Sequence, residues 1–371
     1  MVKRGLLLEY IVGGGLMQVD ASSIGSSFRN EGWTMLSMIA DDWCRCQTEG
    51  EKWEVVAPID PRLADWFSIP SNAANFRPLD AKKDFLEQWC RLAVDADAII
   101  LIAPESGGEL GRLAAAIDEV SDARLGCRSP FLERTSNKLM MAEYISDEYL
   151  HPQTLTPAQF LTYAQSKADS SRREWVIKPI DGAGCDGIWR GTSVAMLTHI
   201  QQNSGCRGSL IQHYLSGQPA SVAAWVTESG RWWLPPVWQD IHWEQTTVAE
   251  GIELAHPTYR GGSGPIEQAY WAAIHTFANR VLDLLGPGAL GWVGIDFVLN
   301  VEKGNARCSA IEVNPRWTTS YAGLRQLYQG NLLEKFLEAS SKSAPTSGIT
   351  HDENWSRQTV KWSTSPPDFA S

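Results

Sequence analysis

Several kinds of site and segment are missing from this 371-residue sequence. Its seven cysteines form no C-x-x-C pair and its histidines show no H-x-x-x-H spacing, which argues against a disulfide framework or a zinc site. No G-x-S-x-G elbow or Cys–His signature indicates a covalent serine or cysteine enzyme. No apolar run reaches the roughly 18 residues of a membrane span, and the amino terminus does not resemble a signal peptide. We therefore expect a cytoplasmic protein without a membrane partner.

Positive charge is also scarce, because 32 lysines and arginines face 43 acidic residues and the formal net charge is −11. A nucleic-acid surface needs clustered cations, so no nucleic-acid partner is expected. Strand-like runs such as GLLLEYIV, WEVVAPI and DAIILIAP alternate with helical patterns in the first third of the chain. This alternation predicts a small α/β layer with parallel strands. Ligands of such layers bind at the ends of strands, where Gly13 to Gly15 and Pro104 to Gly108 lie here.

Two runs later in the chain, WVGIDFVLN and CSAIEVNPR, predict a β-hairpin with a turn at Gly304. Side chains alternate faces along a strand, so Glu312 and Asn314 share a face and Asp296 lies roughly opposite Glu312. Facing carboxylates only about 5 Å apart repel, and we expect a cation between them. Oxygen ligands favour Mg²⁺ or Mn²⁺, and Mg²⁺ usually accompanies phosphate. The alternative is a surface hairpin with solvated acids.

The segment REWVIKPIDGAGCDGIWR predicts a strand ending at Lys178, a glycine-rich loop and a return strand. Gly182, Gly184 and Gly187 match G-x-G-x-x-G, but a Rossmann loop leads into a helix, and this one leads into a β-like run. A glycine loop that closes a hairpin can lie over phosphates and donate backbone N–H groups. Lys178 would add a positive charge there. An ordinary glycine turn with an exposed lysine is the alternative.

A further strand precedes Gly217 and Pro219. The run from Leu210 to Leu215 can offer main-chain donors and acceptors to a purine if it links two lobes. Seen alone, it is equally a strand followed by a turn.

The order of these motifs resembles the ATP-grasp superfamily over roughly residues 130–335: a lysine before a helix, a lysine before a glycine hairpin, Gln-x-Tyr-Leu-x-Gly, an aspartate, then Glu-x-Asn-Pro-Arg. The resemblance implies a mixed α/β and α+β chain, with an ATP-grasp fold preceded by a Rossmann-like (pre-ATP-grasp) domain. It divides the chain into an amino-terminal α/β domain at 1–128, a small lobe with the phosphate loop at 129–208, a large lobe with the adenine linker and metal site at 209–340, and a loosely structured tail at 341–371.

The same resemblance implies roles for individual residues. Asp296, Glu312 and Asn314 match the magnesium ligands, and Arg316 matches an arginine near the transferred phosphate or the substrate carboxylate. Gly294 stands where related amino-acid ligases carry an arginine, so the catalytic charge is expected from Arg316, Lys178 or Arg260. The implied ATP-binding residues are Lys138, Lys178, Gly182, Gly184, Gly187, Gln212, His213, Tyr214 and Leu215.

Several phrases, among them LLLEYIVGGG, PTYRGGSGPI and IEVNPRWTTSYAGL, resemble the tyramine-L-glutamate ligase family of methanofuran biosynthesis. That resemblance implies phosphorylation of the glutamate side chain by ATP, followed by attack of an aromatic amine, tyramine or tyrosine. The expected partners are small molecules, with a homodimer allowed. The candidate substrate residues are Glu9, Tyr10, Gly13, Gly14, Glu31, Thr318 and Thr319.

Two other functions stay open at this stage. One is a different carboxylate–amine ligase that makes a dipeptide or a modified cofactor. The other is a nucleotide-binding protein that has lost catalysis. The presence of both acids, Asn314 and both lysines counts against the second, because a site without activity has no need for facing carboxylates.

Overall fold

The computed structural model describes residues 2–48, 50–67, 74–147, 149–166, 173–182, 184–203, 206–249, 252–341 and 354–364. These residues form a five-stranded sheet and an eleven-stranded sheet, with helices packed against both. No helix in this part of the chain combines the length and the apolar character needed to cross a bilayer.

The five-stranded sheet lies in the amino-terminal part of the chain. Strand β1 lies between β3 and β5 and runs parallel to both, β4 runs parallel to β3, and the short β2 is antiparallel to β3. The predicted parallel α/β layer is therefore confirmed. Its elements are β1 (Val2–Glu9), α1 (Ser26–Cys44), β2 (Gln47–Thr48), β3 (Glu51–Ile59), β4 (Asn75–Pro78), α2 (Phe85–Ala93), β5 (Ala98–Ile102) and α3 (Glu109–Asp118).

Strand β1 shows why this sheet needs helices on both faces. Leu6, Leu7 and Leu8 are all buried, although successive side chains point to opposite faces. Leu7 packs in a core that includes Trp33 of α1, and its two neighbours pack in a core that includes Trp89 of α2. A parallel sheet with two apolar faces requires this double cover.

The eleven-stranded sheet follows, in the order β15-β14-β10-β12-β13-β8-β7-β9-β6, with β11 on β10 and β16 on β13. Its elements, with the intervening helices, are α4 (Phe131–Ser136), α5 (Lys138–Tyr144), β6 (Thr154–Leu155), α6 (Pro157–Ser166), β7 (Glu174–Pro179), β8 (Trp189–Thr192), α7 (Ser193–Gln202), β9 (Ser209–His213), β10 (Gln218–Thr227), β11 (Gly230–Trp233), β12 (Val237–Ala249), β13 (Ile252–Gly264), α8 (Trp271–Leu285), β14 (Gly291–Glu302), β15 (Asn305–Asn314), α9 (Ser320–Leu327), α10 (Leu332–Ser341) and β16 (Val360–Ser363).

Two apolar cores support this large sheet. Strands β7 and β9 share a small core with α6 and α7, built around Phe160, Trp175 and Met196. Strands β10 and β14 pack with α8 in the same core that holds Leu101 of the amino-terminal sheet. The hairpin of β14 and β15 forms one end of the large sheet and thus packs in a core that it shares with the amino-terminal layer.

The tail is more ordered than the sequence predicts. Residues 341–371 are predicted as loosely structured, yet β16 pairs antiparallel with β13 and Trp362 is buried. The prediction is wrong for residues 354–364, because pairing with a sheet edge orders a short strand that has no periodicity of its own. Residues 342–353 and 365–371 lie outside the described residues.

Candidate active site

A cavity of about 570 Å³ lies where α1, β7, the segment after β9, and the β14–β15 hairpin meet. Most of the residues singled out in the sequence lie in its wall, although they are scattered over some 290 positions of the chain. The predicted residues that line it are Glu31, Lys178, Gly184, Gln212, His213, Tyr214, Leu215, Asp296, Glu312, Asn314, Arg316, Thr318 and Thr319.

The β14–β15 hairpin has the predicted register, with Asp296 directly opposite Glu312. Its turn consists of Lys303 and Gly304, which both have positive φ angles, 50° and 82°. Such a turn suits the right-handed twist of the two strands. The register shifts just after Asp296, where the pairing is irregular. The hairpin therefore brings the two carboxylates to one face of the sheet, as predicted.

Asp296 is held in place by two side-chain amides. Gln239 Nε2 donates to Oδ1 at 2.9 Å, and Asn314 Nδ2 donates to Oδ2 at 3.0 Å. Burial and the facing Glu312 raise the pKa of Asp296 to about 6. A cation placed beside this carboxylate would favour its ionised form and reduce its repulsion by Glu312.

Glu312 is surrounded by positive charge. Its Oε1 lies 3.0 Å from Lys138 Nζ, and that ammonium also donates to the carbonyl of Gly182. Burial alone would raise the pKa of Glu312, but Lys138 and Lys178 lower it below its usual value. Lys178 Nζ donates to the carbonyl of Ile311 at 3.1 Å, and burial lowers its pKa to about 8. Lys178 and the two half-buried acids thus line one end of the cavity, and the buried Lys138 pairs with Glu312 from outside the cavity wall.

The glycine-rich loop closes an antiparallel hairpin, as predicted, because β7 pairs with β8 and Ile177 lies opposite Trp189. Gly184 and Gly187 both have a φ of 68°, which residues with a side chain rarely adopt. At the start of the loop, Asp181 Oδ2 accepts a hydrogen bond of 2.9 Å from the Gly107 N–H. The loop is therefore tied to the end of the amino-terminal sheet.

The segment from Gln212 to Leu215, which begins within β9, is fixed by the side chain of Gln212. Gln212 Nε2 lies 3.1 Å from His151 Nε2 and donates to Thr154 Oγ1 at 3.0 Å. Burial lowers the pKa of His151 to about 3, so the imidazole is neutral and can accept this bond. The amide nitrogen of Gln212 thus braces β9, and its amide oxygen has no hydrogen-bond partner among the residues that the structure describes.

The backbone of this segment is partly engaged as well. The Tyr214 N–H donates to the carbonyl of Glu174 at 3.0 Å, whereas the Leu215 N–H makes no hydrogen bond to any residue that the structure describes. The Tyr214 ring lies 3.7 Å from the guanidinium carbon of Arg190, which the sequence did not indicate. The apolar side chains Val176, Ile188, Trp243, Phe297, Val298 and Ile311 complete the wall around the segment. A flat ring fits between such walls.

Arg316 forms a buried ion pair with Glu105, a residue that sequence reasoning missed. Arg316 Nε lies 2.9 Å from Glu105 Oε1, and Nη2 donates to Oε2 at 3.0 Å. Glu105 follows β5 in the amino-terminal sheet, and 211 residues separate the two partners. In the sequence, Glu105 is marked as a possible site residue only by its position in the strand-end loop from Pro104 to Gly108.

Four predicted substrate residues do not line the cavity. The Glu9 carboxylate accepts a 2.7 Å hydrogen bond from the Val12 N–H and closes the turn after β1. Burial raises the pKa of Glu9 to about 7. Tyr10 packs edge-to-face on Phe85. Gly13 and Gly14 belong to the turns that follow, so all four serve the local fold.

Arg260, predicted as a possible source of catalytic charge, also lies outside the cavity wall. Its side chain is 53% exposed and its guanidinium lies 3.6 Å from Glu244. The cavity instead receives Tyr259, the preceding residue on β13, because successive side chains of a strand point to opposite faces. Thr319 Oγ1 donates to the Tyr259 hydroxyl at 3.1 Å, and burial raises the pKa of Tyr259 to about 12.

Comparison with protein families decides where this arrangement belongs. The ATP-grasp domain family matches residues 135–320, half of the chain, and the pre ATP-grasp 3 domain family matches residues 53–130. The chain belongs to the ATP-grasp family. The predicted fold, an ATP-grasp fold preceded by an amino-terminal α/β domain, is confirmed. Members of this family are ATP-dependent ligases, and the chain has the corresponding ligase-type fold.

Solved structures agree on the fold. An ATP-grasp superfamily protein from Archaeoglobus fulgidus has a TM-score of 0.61 at 17% identity, over 97% of this chain and 99% of that one. L-amino acid ligase from Bacillus licheniformis has a TM-score of 0.56 at 12% identity, over 97% and 78%. The biotin carboxylase domain of Hydrogenobacter thermophilus 2-oxoglutarate carboxylase, in complex with MgADP, has a TM-score of 0.60 at 11% identity, over 96% and 73%. None of the curated proteins compared with the chain matches it.

Proposed function

We propose that this ATP-grasp chain is an ADP-forming carboxylate–amine ligase that makes an amide through an acyl phosphate. The observation that carries the proposal is that one cavity joins the buried Lys178, a facing acid pair and a second end lined by Glu31, Tyr259 and Thr319. Such a cavity has room for both a nucleotide and an acceptor. By resemblance, we take the carboxylate to be the side chain of glutamate and the amine to be tyramine or tyrosine, in methanofuran-type cofactor biosynthesis.

We assign the lysine end of the cavity to ATP. Lys138 and Lys178 would meet the phosphates, together with N–H groups of the loop that contains Gly182, Gly184 and Gly187. The purine would lie along the segment from Gln212 to Leu215. The Leu215 N–H could donate to it, because this N–H makes no hydrogen bond to any residue that the structure describes. In this assignment His213 and Tyr214 contribute through their main chain.

Mg²⁺ is the metal that these residues fit best. Mg²⁺ in nucleotide sites is bound by one or two carboxylates together with substrate phosphates and water. Asp296, Glu312 and Asn314 supply two carboxylates and an amide oxygen, and a cation between the acids would offset the burial and the repulsion by Glu312 that raise the pKa of Asp296. When bound, the ion would neutralise charge on the transferred phosphate.

The chain's own residues would orient and stabilise a reaction in two steps. In the first, a carboxylate oxygen bonds to the γ-phosphorus and the bond from that phosphorus to ADP breaks. In the second, the amine nitrogen bonds to the acyl carbon, the acyl–oxygen bond breaks, and phosphate leaves as the nitrogen loses a proton. Arg316 and Lys178 would hold the charged oxygens during both steps. A catalytic role for Arg260 would require it to leave Glu244.

Mass spectrometry of the products tests this function. The full-length protein is incubated with ATP, Mg²⁺, glutamate and either tyramine or tyrosine, and ADP release is followed in parallel. We expect the γ-glutamyl amide and one ADP for each amide, and neither without the amine. A panel of other amino acids and amines extends the assay to different carboxylate–amine ligases. The absence of ADP release with every pair would refute a ligase function.

A further inference from the structure

The carboxyl-terminal strand reaches the candidate active site. Strand β16 pairs with β13 so that Trp362 lies opposite Gly262, and the Trp362 side chain lines the same cavity as Asp296 and Glu312. Strand β16 lies beyond residue 320, where the match to the ATP-grasp domain family ends. The cavity therefore includes a wall that the matched domain does not supply.

The fold leaves a closely fitting space for the Trp362 indole. A Cβ atom at Gly262 would lie 2.5 Å from Trp362 Cζ2, and a Cβ at Gly323 of α9 would overlap Cε3 of the same ring. A Cβ at Gly261 would overlap the Trp362 carbonyl oxygen. Two glycines, one on each element, are thus needed to admit the indole, and Gly261 admits the backbone of β16. The ring packs between β13 and α9, and Trp362 as a whole is only 9% exposed, so its neighbours restrict where the indole can lie.

The other residues at this end of the cavity define what it can hold. Tyr259, Phe28 and Met35 supply apolar walls beside Trp362, and Glu31 supplies one carboxylate. Ser27 Oγ donates a long hydrogen bond of 3.4 Å to Glu31 Oε1, and burial raises the pKa of Glu31. A planar apolar group with an ammonium nearby would match both properties, because the ring would contact the aromatic walls and the ammonium would pair with the acid.

We propose that Trp362 forms one wall of the acceptor subsite and makes the enzyme prefer an amine that carries an aromatic ring. This inference rests on the proposed function, because it names the acceptor class of that same site. Glu31 would pair with the ammonium before the amine is deprotonated for attack. The carboxyl-terminal strand then sets acceptor specificity, and the matched ATP-grasp domain supplies the ATP and metal sites.

Direct binding of two amines tests the proposal without turnover. Tyramine and butylamine, which share the ammonium but differ in the ring, are titrated by calorimetry into the full-length protein. We expect the wild type to bind tyramine more tightly. Trp362→Ala should lose at least about tenfold in tyramine affinity and little in butylamine affinity, and Trp362→Phe should keep most of the preference. Gly323→Ala, which displaces the ring, should behave like Trp362→Ala.

Trp355→Ala is the matched control. Trp355 belongs to the same tail segment, is also 9% exposed and packs on Tyr328 at 4.9 Å, but it does not line the cavity. We expect this variant to keep the tyramine preference and ATP binding. The proposal is overturned if the wild type shows no preference for tyramine, if Trp362→Ala keeps it, or if both tryptophan variants lose it equally. Tyramine binding without ADP release for any carboxylate and amine in the panel would refute the ligase function and leave the subsite standing.

Discussion

Arg316 and Glu105 form a buried ion pair that joins the β14–β15 hairpin to the end of strand β5. Glu105 is only 3% exposed, and Arg316 is 14% exposed because it also lines the cavity. Removing one partner of such a pair leaves the other charge uncompensated. The pair therefore orients an arginine of the cavity from the amino-terminal sheet.

Glu105→Gln should destabilise the protein by about 3 kcal/mol, because Arg316 would stay buried without its counter-charge. The free energy of unfolding in urea measures this. Glu109→Gln is the control, because Glu109 pairs with Arg112 at the surface and should contribute less than about 1 kcal/mol. The double variant Glu105→Gln/Arg316→Met should regain stability but not ligase activity. Equal unfolding curves for Glu105→Gln and the wild type would show that the pair is not needed for stability.

Glu312→Ala should abolish Mg²⁺-dependent turnover and leave the fold intact. Loss of a residue that only supports a metal ligand costs about 10–100-fold, so loss of a ligand should cost at least about 100-fold. ADP release as a function of Mg²⁺ concentration measures the effect. Glu302→Ala, at the exposed end of the same hairpin, should behave as the wild type. Full activity in Glu312→Ala would refute the proposed metal site.

Glu9 should make stability depend on pH. Its pKa is about 7 in the folded state and 4.5 in the unfolded state. Below about pH 4.5 both states are protonated. As pH rises from there to 7, the unfolded state loses its proton first and stability is lost, to a total of about 3 kcal/mol. Glu9→Gln removes this effect, so unfolding in urea at pH 8 should show a more stable variant, with a smaller gain at pH 5. An equal gain at both values would contradict the prediction.

Gly184→Ala should weaken ATP binding through the backbone alone. A Cβ at Gly184 would meet no atom within 4 Å, but the φ of 68° costs a residue with a side chain about 1 kcal/mol or more. We expect the dissociation constant of ATP to rise by about fivefold, and less for Gly184→Asn, because asparagine tolerates this conformation better. Gly230→Ala is the control, since Gly230 is equally open and has no positive φ. Unchanged ATP affinity in Gly184→Ala would argue against a phosphate-binding role of the loop.

The sequence predicted best those parts of the site that depend on nearby residues. The register of Asp296 with Glu312 follows from alternation along two strands and the position of one turn. The glycine loop was assigned to a hairpin because a β-like run follows it. Both interpretations use only short stretches of chain, so they did not require knowledge of the tertiary fold.

Contacts between distant parts of the chain could not be predicted in this way. Gln239, which binds Asp296, and Glu105, which binds Arg316, come from strands and loops far away in sequence. Glu9 is an acid at the end of a strand, as a ligand-binding residue often is. Its carboxylate instead accepts a hydrogen bond from the Val12 N–H of the turn that follows it. Strand β16 is too short to show a period of alternating residues, and it is ordered by pairing with β13 and by packing against α9.

The position of β16 has a consequence for synthesis of the protein in the cell. The residues of the phosphate loop and the acid hairpin emerge from the ribosome before Trp362, which follows Asn314 by 48 positions. The groove between Tyr259 and Gly323 therefore stays open until Trp362 has been synthesised. A premature stop between Gly323 and Trp362 would release a polypeptide that contains the residues of the phosphate loop and the acid hairpin but lacks one side of its acceptor groove.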